Sequence, residues 1–432
     1  MPDNEYVTVE VNGYVVDKWR RYSLDSDLRT PADAFTTRIS VPTEPYPESR
    51  DRLALMREVL QEGSPIKVYI GGDRPDAARP KTLQLWGITD ECETGCPDGV
   101  GTTVELQGRD RAAHLVDNDV PMDYTKSSTT FIEVVRAAVA PWNISVVTDG
   151  TAARDILTGK TRVSPRTALD ITEAKSFGIP DSQFTRSLAR KAERDGVPLD
   201  TMLGVTPTDR ARRAMPNNMV AGDVERLTIQ QAKPQVGETI WTFLSRHVQR
   251  LKLFMWFSPD GKLIVGSPNY SQPAMFRLVR RIRQDSKEPN NILRGGERRN
   301  AANRLSRVRV YGHTRGNDAT RSKFVGVATD SSVPFDRLRV VHDNSVRSQE
   351  DAEALAQRIL ARHKVDAQTL TYELRGHGQG KHVYSIDTMF HVYDERTGVN
   401  GQFYCVKRTL MNGGGDGATT RVTLIPPNVL VP

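Results

Sequence analysis

Residues 7–16 read VTVEVNGYVV, and this stretch decides how the chain begins to fold. Val7, Val9 and Val11 alternate with polar residues, which is the period of a half-buried β-strand. The Asn12-Gly13 dipeptide that follows favours a two-residue type I′ turn. The sequence therefore predicts that the chain opens with a β-hairpin.

The same pattern continues along the first quarter of the chain. Strands are predicted at residues 19–24, 34–41, 66–70, 82–88 and 102–107. A helix is predicted at residues 50–61, where Leu53, Met56 and Leu60 share a face and Gly63 ends it. Short strands with one helix are typical of a small barrel or sandwich.

The pattern changes after Gly108, where a second domain is predicted to begin. Helices are predicted at residues 129–140 and 240–251, and a hairpin follows at 253–257 and 263–265. Residues 149–225 are polar and almost free of aromatic side chains, which indicates an insertion.

The last segment returns to strands around a single helix at residues 348–362. The strands are predicted at 304–311, 338–342, 369–375, 382–393, 402–410 and 419–425. A β domain with one helix is therefore expected at each end of the chain. Two such domains should leave exposed strand edges, for example at residues 7–16 and 419–425.

Composition limits the class of protein. The chain has 432 residues, 38% of them apolar and 26% charged, so it should form several domains with buried cores. Its longest apolar run, residues 251–257, is too short to span a membrane, and no secretory signal opens the sequence. Cys92, Cys96 and Cys405 cannot form a disulfide framework, so the fold should be held by packing.

Candidate reactive groups do not combine into a recognisable site. Cys92 and Cys96 lie among acidic residues, but the second half-site of a zinc centre is missing, so a reduced turn is favoured. His377 and His382 lie among glycines and are interpreted as part of a solvated hairpin tip. The glycine-rich residues 412–417 lack the Lys-Ser/Thr of a P-loop. We expect no catalytic, cofactor-binding or metal-binding residue, no cofactor, and no enzymatic activity.

The formal net charge of +7 is concentrated between residues 277 and 309, where eleven Lys and Arg face three acidic residues. Such a stretch could contact phosphates or an acidic protein. It contains no aromatic residue for stacking bases, and Arg307 and Arg309 are predicted on one strand face opposite Val308 and Val310. Contact with carboxylates of a neighbouring subunit is therefore favoured over nucleic-acid binding.

Several stretches, taken in order, resemble the Mu-like tail protein family that forms the baseplate hub of contractile phages. They are residues 7–24, the motif QGRDRAAHLVD at 107–117, the strand-helix-hairpin unit at 236–265, and residues 291–427. The unit at 236–265 also looks like a LysM module. Residues 149–225 have no counterpart.

The resemblance implies a mainly β protein with α+β inserts, in which two tube-like β-barrel domains flank a central α/β region. The implied division is 1–108 for the first barrel and 109–226 for an α/β domain with the polar insertion. A LysM-like module at 227–290 and the second barrel at 291–432 complete it.

The implied function is that of a structural hub in the phage virion, assembled in the host cytoplasm. Three copies would form a ring that adapts a sixfold tail tube to a threefold central spike. The implied partners are two other copies, the spike, the tube, and the wedge and tape measure proteins, without specific nucleic acid or membrane insertion.

Two alternatives stay open at this point. The chain could be the equivalent hub of a contractile injection or secretion system, which the sequence does not separate from a phage. The LysM-like unit also allows a peptidoglycan-binding or peptidoglycan-hydrolysing tail protein, although no placed acid/base pair is found.

Overall fold

A computed structural model describes most of the chain. The described residues are 6–16, 19–41, 58–72, 77, 79–95, 102–124, 126–148, 227–251, 253–270, 272–283, 289–312, 324–343, 346, 348–412 and 417–429. The insertion predicted at 149–225, most of the helix predicted at 50–61, and Cys96 lie outside them.

The first β region holds the strands that precede the GRDR motif and run into it. They are β1 (Val7–Val11), β2 (Tyr14–Val16), β3 (Trp19–Asp27), β4 (Ala34–Val41), β5 (Pro65–Ile70), β6 (Thr82–Gly95) and β7 (Thr102–Asp110). Asn12 and Gly13 have φ of 51° and 80°, as a type I′ turn requires. The predicted opening hairpin is therefore confirmed.

The central region mixes helices and short strands. It contains α1 (Ala113–Asp117), β8 (Lys126–Thr130), α2 (Phe131–Val139), β9 (Val146–Val147), β10 (Thr228–Ala232), α3 (Ile240–Arg250), β11 (Phe254–Phe257) and β12 (Leu263–Gly266). Thr130 and Glu133 form a reciprocal capping box that fixes the start of α2. Phe131 of α2 and Phe243 of α3 belong to one core, and β12 pairs in parallel with β9. The LysM likeness of residues 236–265 stays a prediction.

The second β region ends the chain. Its strands are β13 (Phe276–Arg280), β14 (Ile292–Arg299), β18 (Gln368–Arg375), β19 (Gly378–Gln379), β20 (His382–Val383), β21 (Met389–Asp394), β22 (Val399–Asn412) and β23 (Ala418–Ile425). Between β14 and β18 the chain forms a separate small sheet of β15 (Arg307–Gly312), β16 (Phe324–Thr329) and β17 (Leu338–Asp343). Helix α4 (Gln349–Ala367) packs on one face of this small sheet.

The two β regions are joined into one 13-stranded sheet, because β3 pairs with β22. Its main path runs β14-β18-β23-β22-β3-β4-β7-β6-β5-β1-β2, and β21 with β13 branches from β22. The expectation of a mainly β fold with α/β inserts is confirmed. The expected pair of closed barrels is wrong, since no ladder closes on itself among the described strands; the long strand β22 instead pairs with three neighbours.

The sheet path also corrects an expectation about strand edges. Residues 419–425 were predicted at an exposed edge, but β23 pairs with β18 on one side and β22 on the other. The path ends instead at β14 and at β2, where Tyr14 and Val15 are 55% and 62% exposed.

Candidate assembly interface

Eight consecutive strands of the large sheet, from β14 through β18, β23, β22, β3, β4 and β7 to β6, present one polar face. Successive residues of a strand point to opposite sides, so the registers of the paired strands assign each side chain to a face. The polar face carries, among others, Arg294, Glu373, Arg421, Thr409, Asp25, Arg38, Glu105 and Glu93. The opposite face is buried, with Leu24, Phe35, Leu106, Tyr372 and Val422. The sheet therefore has one solvated and one core side throughout these strands.

Ion pairs run along the polar face. Glu373 lies 2.8 Å from an Arg294 nitrogen and 3.4 Å from one of Arg421. Glu105 lies 2.6 Å from Arg38, and this pairing lowers its pKa. Each cross-strand pair joins neighbouring strands, so the face is held by local charge pairing.

The junction between the two β regions combines an acidic and a basic strand segment. Asp25 of β3 accepts from Thr409 Oγ1 at 2.6 Å, and its other oxygen lies 2.6 Å from Lys407 Nζ. The backbone ladder runs from Lys407 opposite Asp27 to Asn412 opposite Tyr22. A main-chain ladder and a charged pair therefore connect two regions that lie far apart in sequence.

Arg408 lies under this junction and is 2% exposed. Its Nη1 donates to Gln84 Oε1 at 2.8 Å and to the Tyr384 carbonyl oxygen. It lines a cavity of about 30 Å³ together with Asp33, Ser258 and Ser385. Burial raises the pKa of Asp33 to about 6. Arg408 is absent from the residues predicted above, although the alternation of Lys407 and Arg408 along a strand could have placed one of them inside.

The end of β6 is an open acidic edge. Residues 82–88 pair with β5, and the ladder with β7 runs from Gly87 to Gly95. Residues 90–95 therefore pair with β7 and with no other described strand. Asp90, Glu91 and Glu93 belong to this edge and are exposed. Glu93 lies directly opposite Glu105, and no described cation pairs with it. Glu105 is already paired with Arg38, and Asp90 with Arg109. Glu91 and Glu93 are therefore the acidic side chains of this edge that an external cation could contact.

The strand β14 is an open basic edge at the other end of the same path. Its only ladder among the described residues is with β18. Residues of β13 reach its first half, where Asn291 N–H donates to the Val279 carbonyl at 3.1 Å and Arg280 Nη2 donates to the Gly295 carbonyl at 3.0 Å. The open part is therefore residues 296–299. Arg294, Arg298 and Arg299 are exposed, and Gly295 and Gly296 leave a groove of about 490 Å³ beside them. Gly295 has a φ of 123°, and a side chain there would collide with the Thr371 carbonyl. The close pairing of β14 with β18 at this point therefore depends on glycine.

The small sheet has a second exposed face. Arg307 and Arg309 lie on it and Val308 and Val310 face α4, so the predicted alternation is confirmed. Val327 and Val340 flank Arg309 and are 47% and 57% exposed. A face that mixes exposed valines with a cation is suited to protein contact.

Many cations of the basic stretch at 277–309 have partners in their own chain. Arg280 pairs with buried Asp394 in a contact that also joins β13 to β21. Burial by itself would raise the pKa of Asp394, but the hydrogen bonds from Arg280 bring it below its usual value. Arg307 pairs with Asp336 at 2.6 Å. Contact of this stretch with a neighbouring subunit stays a prediction.

The interpretation of His377 as a residue of a solvated tip is wrong. Its ring is fully buried, its Nε2 contacts the Tyr22 hydroxyl, and its Nδ1 lies 3.1 Å from Thr420 Oγ1. Burial lowers the pKa of His377 to about 3. His382 is partly buried on the neighbouring strand β20. The glycines around His377 do not expose it, because the chain folds back under β3.

The two described cysteines, Cys92 and Cys405, form no disulfide bond with each other. Cys92 packs against the core of the first β region, and Cys405 is buried in the second. Burial raises the pKa of Cys405 to about 12. Within the described ranges, no three His, Cys, Asp or Glu side chains are grouped so as to hold a metal. In the same ranges no helix has the length and apolarity to cross a bilayer.

A comparison with protein families identifies the first β region. Residues 6–110 match the family described as Mu phage baseplate assembly protein GpP-like, N-terminal. The first β region is therefore similar to a GpP-like N-terminal domain. The resemblance to Mu-like tail proteins is thereby confirmed, and the acidic edge lies within the matched residues. No curated protein matches the chain by sequence.

Solved structures extend the likeness to the rest of the fold. A tail protein of Neisseria meningitidis MC58 is 22% identical with a TM-score of 0.66, over 99% of this chain and 98% of its own. The 43 kDa tail protein of prophage MuSo2 from Shewanella oneidensis is 14% identical with a TM-score of 0.67, over 98% and 99%. A chain of the Francisella PdpA-VgrG complex has a TM-score of 0.52 at 8% identity, over 97% of this chain and 57% of its own. The shared property is the fold.

Proposed function

We propose that this chain is the structural hub of a contractile phage baseplate. Three copies form a ring that connects the sixfold tail tube to the threefold central spike. The observation that carries the proposal is the sheet that joins the GpP-like domain to a second β region of similar construction. Two such regions in each of three chains make six β regions around the axis. This number matches the sixfold symmetry of the tube.

The continuous sheet supports the mechanical part of this role. Rigid connection of the two β regions through β3 and β22 lets one chain occupy two neighbouring positions of a ring without relative movement. The polar face would then form the wall of a channel, lined by paired charges rather than by apolar side chains. Such a wall can be wetted and offers passing chains little apolar surface.

The partners follow from this position. The ring contacts the tube on one side and the spike on the other, with wedge and tape measure proteins as further neighbours. It belongs to the virion and is assembled in the host cytoplasm. It uses no cofactor, catalyses no reaction, binds no specific nucleic acid and inserts into no membrane. The four-part division at residues 108, 226 and 290 belongs to the same proposal.

Reconstruction of the assembled particle by electron microscopy tests the proposal. We expect density for three copies of this chain between the tube and the spike, with the two β regions alternating around the axis. Density for six copies, or for a chain located outside the tail axis, would contradict the hub role.

A hub of an injection or secretion system is the second candidate. It is favoured by the fold shared with a chain of the PdpA-VgrG complex. The same reconstruction separates the two candidates, because a phage particle carries a capsid above the tail.

A purely structural hub does not hydrolyse peptidoglycan. The purified chain is therefore expected to release no soluble muropeptides from isolated cell walls. Release that disappears on substitution of a single carboxylate would assign an enzymatic role to the LysM-like part of the chain.

A further inference from the structure

We propose that β14 of one copy pairs with the open end of β6, residues 90–95, in the next copy. The inference names the surfaces that meet in the ring, and the number of copies in that ring rests on the proposed function. The occupant of each edge is thus a second copy of this chain, bound by strand addition.

Strand direction permits this pairing. Every neighbouring pair from β14 to β6 is antiparallel, and the path contains eight strands. In an alternating path with an even number of strands, the first and last strands run in opposite directions. Rotation about a ring axis keeps these directions, so β14 of the next copy meets β6 antiparallel. The contact is heterologous, as ring closure requires.

The faces also match. Arg294 and Arg298 lie on the polar face at β14, and Glu91 and Glu93 lie on the same face at β6. Pairing in this direction therefore continues the polar face from one copy to the next. On the other face, β14 carries Glu297 and Arg299 in its second half and β6 carries the half-buried Cys92, so the contact is polar on both sides there.

Charge selects the partner. On the open end of β6, Asp90 is paired with Arg109, which leaves Glu91 and Glu93 for a partner. On β14, Arg294 is paired with Glu373 and Arg299 with Glu297, which leaves Arg298. Two acidic edges or two basic edges would repel each other, so the arrangement favours an acidic edge against a basic one. Exposed strand edges of this length are normally protected, and pairing with another copy would protect both.

The junction inside the chain provides a precedent. There the first β region contributes an acidic segment at Asp25, and the second contributes a basic one at Lys407. The open edges repeat this assignment, with the acidic side in the first β region and the basic side in the second. Around the ring, the junction within each chain would then alternate with a contact of the same type between neighbouring chains.

Chemical trapping in solution tests the pairing. Glu93→Cys and Arg298→Cys are introduced together into a full-length chain that carries Cys92→Ser and Cys96→Ser, and Cys405 is left because it is buried. The chain is treated with a short bismaleimide and resolved on a denaturing gel. A matched control carries Asp123→Cys and Glu353→Cys, which are exposed and lie off both edges.

The expected result is a ladder of covalent dimers and trimers. It should contain about tenfold more product than the control, because a specific contact raises the local concentration of the thiols. Chains with only one of the two edge cysteines should stay monomeric, since the proposed contact joins β6 to β14 and neither edge to itself. Yields equal to the control, or efficient dimers from either single cysteine, would overturn the pairing.

The two proposals fail in different ways. A ladder that ends at a number other than three supports the strand pairing and contradicts the threefold hub. A threefold hub in the particle, together with no product from the edge cysteines, contradicts the pairing and leaves the hub role standing.

Discussion

Acidic and basic strand segments occur in two places in the molecule. They are paired at the junction between β3 and β22, and they are exposed at the open edges of β6 and β14. At the junction an acidic segment and a basic segment are paired, with Asp25 held by Lys407 and Thr409 and with Arg408 buried beneath. At the edges Glu93 and Arg298 are exposed and have no ion-pair partner among the described residues. The difference is that one contact is completed within the chain, whereas the other, in our proposal, is completed by a second copy.

The largest expected effect comes from removing Arg408. Arg408→Ala leaves the Gln84 oxygen and the Tyr384 carbonyl without their donor inside the junction. We expect a loss of about 3–5 kcal/mol in the free energy of unfolding, because each buried acceptor left without a donor costs roughly 1–3 kcal/mol. Guanidinium chloride unfolding measures it.

The matched control for Arg408→Ala is Arg298→Ala on the open edge. Because Arg298 is exposed, the free energy of unfolding should change by less than about 0.5 kcal/mol. Equal effects of the two substitutions would remove the distinction between a sealed junction and an open edge.

Acid should act on the junction through His377, which packs against Tyr22 of β3. The pKa of His377 is about 3 in the folded chain. In the unfolded chain the ring binds a proton near pH 6.5, so protonation at lower pH favours unfolding. The stability from neutral His377 is complete above that value and is lost as the pH falls toward 3. Relative to His377→Gln, the wild type should therefore lose on the order of 3 kcal/mol between pH 7 and pH 4.

The comparison with His377→Gln is needed because another group titrates in the same window. The pKa of Asp33 is raised to about 6, so its protonation favours the fold as the pH falls. Arg79 and Arg408 are the charges near His377, and both chains share them. Parallel stability curves for the two chains from pH 7 to pH 4 would contradict the buried, neutral His377.

Charge exchange at the open edges should change association rather than folding. Glu93→Arg and Arg298→Glu each place like charges at the contact, so each should weaken association about tenfold, or about 1.4 kcal/mol. The two substitutions in one chain restore opposite charges and should recover association. Sedimentation velocity over a concentration series measures this, and failure of the double variant to recover would exclude a contact between these edges.

The smallest effect is expected at the polar surface of the sealed junction. Asp25→Ala removes the partner of Lys407, but both side chains are about a third exposed. Water screens such pairs, so the free energy of unfolding should fall by about 1 kcal/mol or less. A loss as large as that of Arg408→Ala would mean that the surface pair, and not the buried guanidinium, holds the junction.

Local patterns in the sequence predict many of the strands and few of their pairings. The predicted bounds of β4 agree with the structure at both ends, because alternation and flanking turns mark it clearly. The strand β14 was missed, since ILRGGERR combines two glycines with charges that disfavour a strand when read alone. Pairing with β18 overrides that local preference.

The candidate interface was only partly predictable for the same reason. The basic stretch drew attention to residues 277–309, and Arg307 and Arg309 lie on one face as expected. The open acidic end of β6 depends on where β5 stops, and β23 is internal because β18 returns beside it. Such long-range pairings leave no periodic signal in the sequence.

Native mass measurement of the chain together with the spike protein of its own particle tests the central claim most directly. The account predicts a complex that contains three chains of 48.2 kDa for each threefold spike. A stable complex with one or two chains, or a chain that stays monomeric in the presence of the spike, would contradict it.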